Sequence, residues 1–224
     1  MRLVILSLAL AAVLPVLPAA AQGLEVFAGA RLSFDNADKT AIGTDLNAYV
    51  EGELRHVYGG VSGDVYNVSA SNVLDIYLGY RNETAGGISY DLSYDHSIHP
   101  NDPPSDGGTA ALSIGVPVGD KLTTTFDASY TPQTGLSDGH LTVDYALNDK
   151  VTLTASVGLV QQDAGSGGAA QDFELAAAYQ LGDQTAVKLH YYDGSDYDGY
   201  FALDLTWDTT LFSGGSGDAG AAGE

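Results

Sequence analysis

The chain has no cysteine among its 224 residues. Disulfides are therefore excluded as the source of stability, and an exported protein of this size must rely on backbone pairing or a large core. Basic residues are scarce: 8 Lys+Arg stand against 29 Asp+Glu, for a formal net charge of −21. Such a surface repels nucleic acid and anionic membrane faces, which excludes a nucleic-acid partner. Long apolar runs are missing beyond the first residues, so no later segment reads as a membrane-spanning helix.

What is present begins with the N-terminus. Met1-Arg2 is a positive start, residues 3–17 are an apolar run, and Ala19-Ala20-Ala21 fits the small-residue cleavage pattern. Pro15 and Pro18 interrupt the run, which argues against a retained helix. Residues 1–21 are read as a cleaved secretory signal peptide.

From residue 24 onward apolar residues recur at every second position, the period of a strand. Leu74, Ile76, Leu78 and Tyr80 share one face, while Asp75, Tyr77 and Arg81 share the other. The same alternation carries Ile88–Tyr94, Ala110–Val116, Leu122–Tyr130, Leu141–Leu147, Val151–Leu159, Phe173–Leu181, Val187–Tyr191 and Phe201–Trp207. Three less regular strands are expected over about 24–34, 46–56 and 59–65, for about twelve in all. Connections alternate in length. Residues 84–87, 119–121, 148–150 and 182–184 read as tight turns. Between them, 97–108, 131–139, 163–170 and 193–198 read as longer loops rich in Gly, Asp, Ser or Pro.

Short turns on one side and long loops on the other are the habit of a transmembrane barrel, with an even strand number and both termini in the periplasm. The expected fold is all-β: a closed antiparallel up-and-down transmembrane β-barrel over residues 22–212. Phe212 is the closing aromatic, and residues 213–224 form a flexible Gly/Ala-rich tail. Tyr94, Tyr130 and Tyr191 at the loop end, with Tyr80, Tyr145 and Tyr179 at the turn end, are expected to form two aromatic girdles at the membrane interfaces. A soluble periplasmic β-barrel binding protein alternates too, with its apolar face inward, and stays open as the alternative.

Val57-Tyr58-Gly59-Gly60-Val61-Ser62-Gly63, Leu74-Asp75-Ile76-Tyr77-Leu78-Gly79-Tyr80 and Gly87-Ile88-Ser89-Tyr90-Asp91-Leu92-Ser93-Tyr94, followed by His99-Pro100, resemble the TorF family of porins. The likeness is carried by residues 57–103 and runs more weakly to Trp207. It implies a bacterial outer-membrane barrel with porin activity and brings no catalytic residues.

If the apolar face meets lipid, the other face lines a lumen. Asp75, Arg81, Asp91, Asp95, Asp127, Asp144, Glu174, Lys188 and Asp204 are the expected pore-lining charges, with Arg81 and Lys188 paired to nearby acids. Acids outnumber bases, so passive diffusion of small polar solutes or cations is expected. A plugged barrel serving structure or adhesion is the alternative. The expected partners are outer-membrane lipids and those solutes. No enzyme, cofactor, catalytic residue or metal ligand is expected, because no serine sits in a nucleophile motif. His96 and His99, placed in the longest loop, are expected to be solvent-exposed. His56 and His140 are expected at strand ends and His190 on the polar side of a strand. The cluster Asp193, Asp196 and Asp198 lacks the spacing of a calcium loop.

Overall fold

A computed structural model describes residues 23–38, 41–67, 72–101, 106–161 and 169–214. The expected signal peptide, Asp102 and Pro103 beside His99, most of the 163–170 loop and most of the C-terminal tail lie outside these residues.

Twelve antiparallel strands follow one another in chain order: β1 (Leu24–Asp35), β2 (Gly43–Leu54), β3 (Val57–Tyr66), β4 (Val73–Glu83), β5 (Ser89–Ile98), β6 (Gly107–Val118), β7 (Leu122–Thr131), β8 (Leu136–Asn148), β9 (Val151–Gln161), β10 (Ala169–Gly182), β11 (Thr185–Gly194) and β12 (Tyr200–Ser213). Each strand pairs with its sequence neighbours, and β1 pairs with β12 to close the barrel. Closure leaves no free edge. It also satisfies the ladder groups without cysteine.

The alternation is resolved in an unusual sense. No large side chain among the described residues is fully buried. The apolar face points outward instead, with Leu78 at 61% exposure and Leu92 at 59%. A soluble binding barrel hides that face inside. Here the outer wall is apolar and the polar face is enclosed, which removes the soluble alternative.

The start of β1 and the end of β12 meet at the tight-turn end, where Gly214 N–H donates to Leu24 O at 2.8 Å. Several boundaries depart from expectation. The β2–β3 hairpin turns at Arg55 and His56, so β2 ends at Leu54 and β3 already begins at Val57. His56 is a turn residue, edge-on to Tyr80 at 5.9 Å between ring centres. The loop expected over 131–139 shrinks to 132–135. Gly135 has φ 71°, and the N–H groups of Thr134 and Gly135 donate to Thr131 O at 3.3 and 2.8 Å. His140 thereby falls within β8.

β5 runs through Ile98, so His96 belongs to a strand, not to a loop. His99 follows it half-buried, its N–H donating to Asp106 Oδ1 at 2.6 Å, rather than solvent-exposed as expected. The strands at the loop end are longer than their apolar pattern because a backbone ladder continues with Gly, Asp and Ser once it leaves the apolar band.

Candidate functional site

The enclosed face is a charged interior built by alternation. Position by position, the expected charges fall on it: Asp75 and Arg81 on β4, Asp91 and Asp95 on β5, Asp127 on β7, Asp144 on β8, Glu174 on β10, Lys188 on β11 and Asp204 on β12. Two groups of contacts organise them.

Near the tight-turn end, Arg81 bonds to Glu51 and donates from Nε to Glu53 Oε2 at 2.8 Å. Its guanidinium lies over the Tyr58 ring at 4.2 Å, and Tyr58 Oη donates to Asp91 Oδ1 at 2.7 Å. Farther from the turns, Lys188 Nζ lies 3.3 Å from Glu174. His190 is wedged between two strands, its Nδ1 at 2.7 Å from Glu174 and its Nε2 at 3.3 Å from Asp204. Arg31 meets Asp45 at 2.9 Å. Each lumen-facing Arg or Lys among the described residues is thus held by an acid.

Glycines make these cross-strand contacts possible. Tyr49 on β2 reaches Asp208 on β12 at 2.7 Å by passing over β1 at Gly29, where a β-carbon would collide with both. Tyr58 crosses β4 in the same way over Gly79, and its ring fills the space a side chain there would take. A side chain laid over a strand glycine replaces the packing that the glycine lacks.

The interior is two-sided. Phe27 (β1), Tyr49 (β2), Tyr58 and Tyr66 (β3), Tyr77 (β4), Tyr192 (β11) and Tyr200 (β12) place every described lumen-facing Phe or Tyr ring on one wall. That wall also holds Arg31, Arg81 and Lys188. The opposite wall, β5–β10, presents mainly small hydroxylic residues and carboxylates. Its contacts are short: Thr154 Oγ1 donates to Asp144 at 2.6 Å, Thr142 and Ser156 hydroxyls lie 2.9 Å apart, and Ser97 donates to Asp95 at 3.2 Å. On the ring-bearing wall a recess of about 520 Å³ opens among Phe27, Asn47, Tyr49, Glu51, Glu53, Ser62, Tyr77 and Arg81.

Sequence reasoning missed most of that recess. Asp45, Asn47, Tyr49, Glu51 and Glu53 occupy every second position of β2, so the polar half of the alternation was legible there. Its apolar half, Leu46, Ala48, Val50, Gly52 and Leu54, is too small and broken to announce a strand.

On the outer wall the expected girdle residues are exposed at the surface, from Tyr145 at 39% to Tyr94 and Tyr130 at 50%, apart from Tyr191. That ring is partly covered by Phe201 at 5.1 Å and Phe173 at 6.2 Å. Tyr90, not among the expected residues, stacks beside Tyr80 at 6.2 Å. Among the described residues no group of three or more His, Asp or Glu is placed to hold a metal. Asp193 instead accepts from Tyr191 Oη at 3.0 Å.

No family model matches the chain, and no curated protein matches its sequence. Among solved structures, the KdgM porin is similar with a TM-score of 0.62 at 8% identity, over 81% of this chain and 98% of that one. The fold is that of a porin. The NanC porin is similar with a TM-score of 0.59 at 8% identity, over 83% of this chain and 100% of that one. The Acinetobacter baumannii outer membrane protein Omp33 gives 0.51 at 12% identity, over 84% and 100%. At such identities the likeness is one of fold, and the content of this barrel's interior is its own.

Proposed function

We propose that the chain is a bacterial outer-membrane porin through which small polar solutes diffuse passively, with cations favoured over anions. One observation carries the reading: a closed barrel with an apolar exterior encloses an interior whose acids outnumber its bases, and each of those bases is held by an acid. The carboxylates left over give the lumen a negative potential that concentrates cations. Twelve strands tilted by about 40° and spaced about 4.8 Å apart enclose a cylinder roughly 24 Å across at the backbone. The pore-lining residues are those expected from the sequence, joined by Arg31, Asp45, Glu51, Glu53 and Asp64.

Residues 1–21 serve as the export signal and are removed, and residues beyond β12 form a tail. The exterior, with Tyr80, Tyr94, Tyr130, Tyr145, Tyr179 and Tyr191 toward its two rims, contacts outer-membrane lipid. The TorF-like residues of β3–β5 support the same reading at family level. The KdgM porin has been solved in complex with disordered oligogalacturonate. That ligand is a polyanion, and the acidic lumen of this chain disfavours it.

The test is planar-bilayer recording across a KCl gradient. A steady conductance with a cation-selective reversal potential is expected. An anion-selective reversal potential would overturn the assignment of the lumen, and absence of conductance would favour a plugged barrel.

A further inference from the structure

We infer that the recess on the ring-bearing wall is a saccharide subsite, built for an uncharged sugar rather than for an inorganic cation or an acidic sugar. The inference rests on the porin reading and names a substrate class for it.

Three observations converge on the recess. Its volume, about 520 Å³, lies in the range of small-molecule pockets, about 300–1,000 Å³. Phe27, Tyr49 and Tyr77 bring flat rings to it. Phe27 is the less expected of these, a phenyl ring on the polar side of β1, beside the bulge where the β1–β12 register shifts. The polar groups between the rings are of both kinds. Glu51 and Glu53 accept, while Arg81 and Asn47 each keep N–H groups beyond those already given to Glu51, Glu53 and Asp64, and Ser62 donates its hydroxyl to Asp75 and can accept in turn.

A pyranose has the complementary surface. Its C–H faces are apolar and flat, and each hydroxyl both donates and accepts. A metal ion uses only acceptors, and an ammonium uses acceptors and ring faces, but both leave the donors idle. Either must also compete with Arg81, which already neutralises one of the two carboxylates. A uronate adds a negative charge beside Glu51 and Glu53. Tyr58 takes no part, because it is buried beneath Arg81 and holds that side chain from below. It therefore fixes the donor fork before ligand arrives, which lowers the ordering cost of binding.

The test uses protein purified from outer membranes of cells expressing the full chain. The detergent is lauryldimethylamine oxide, because a sugar-headed detergent would compete. Calorimetric titration with maltotriose, cellotriose, xylotriose and trigalacturonate reads the site without requiring conduction. At least one neutral trisaccharide is expected to bind, and trigalacturonate to bind more weakly. Phe27→Ala, which disturbs no glycine crossing, should weaken the neutral sugar by about tenfold, the worth of one stacked ring. Glu53→Gln, which keeps size and removes an acceptor charge, should also weaken it, with heat-modifiable migration on gels showing that both variants fold. Absence of heat from every neutral sugar overturns the inference, as does binding indifferent to Phe27→Ala or tighter binding of trigalacturonate. Conductance in salt alone is recorded on the same preparation. Sugar binding without conductance would sink the porin reading and keep the subsite, whereas conductance without sugar binding would do the reverse.

Discussion

At the scale of single residues, Arg81 does the work of several groups. It ties Glu51 and Glu53 together and caps the buried Tyr58 ring. The guanidinium is part-exposed to the lumen but Glu51 is buried, and because Gln can still donate to it the Arg81→Gln substitution costs about 1–3 kcal/mol. In the proposed channel it also cancels charge where the lumen nears the turn end. Arg81→Gln is therefore expected still to fold and to shift the reversal potential in a KCl gradient further toward cation selectivity. An unchanged potential would place Arg81 outside the ion path. The glycine crossings belong to the same scale. Nothing local in the sequence assigns Gly29 or Gly79 a role, and their purpose appears only when Tyr49 and Tyr58 are seen to lie across them.

At the scale of the element, the strand faces and turns divide the labour. Leu112 stands on the outer face of β6 and Thr123 on the inner face of β7. Leu112→Arg should cost about 2–4 kcal/mol of folding into lipid vesicles if it sits near the bilayer midplane, while Thr123→Arg should insert normally and change only conduction. Equal effects in urea titrations of both variants would mean that the faces are misassigned. The β2–β3 turn offers a gain instead. Arg55 is the first residue of a two-residue turn and has φ 63°, a conformation that glycine adopts without strain. Arg55→Gly is expected to stabilise the barrel by about 1 kcal/mol, read as a higher urea midpoint.

The elements also show what the sequence carried. From β4 to β12 the strands were legible because Leu, Ile, Val, Phe and Tyr fill the outer positions. β2 and β3 were blurred because Ala48, Gly52, Gly59 and Gly63 stand at outer positions, where their small side chains send no periodic signal.

At the scale of the whole molecule, the division of the interior into two walls governs its electrostatics. Asp95, Asp127 and Asp144 lie on β5, β7 and β8, where no lumen-facing Lys or Arg is described. Replacing all three by Asn keeps size and removes charge, so conductance should persist while cation selectivity falls. The difference from wild type should be largest in dilute salt, because the Debye length shrinks from about 30 Å at 0.01 M to about 3 Å at 1 M. Reversal potentials at the two salt levels measure it, and a mutant indistinguishable from wild type in dilute salt would move selectivity to the ring-bearing wall.

The sequence by itself determined the strand period, the parity of turns and loops, and which half of each strand is polar, since all three are local properties of the chain. Only the closed structure decided that the apolar half faces outward, because period-two alternation is the same for a barrel and its inside-out counterpart. Only the structure, likewise, gathered Phe27, Tyr49, Tyr77 and Arg81 into one recess. Their meeting depends on which strands become neighbours and in what register, and these follow from pairing around the whole ring, β1 against β12 included.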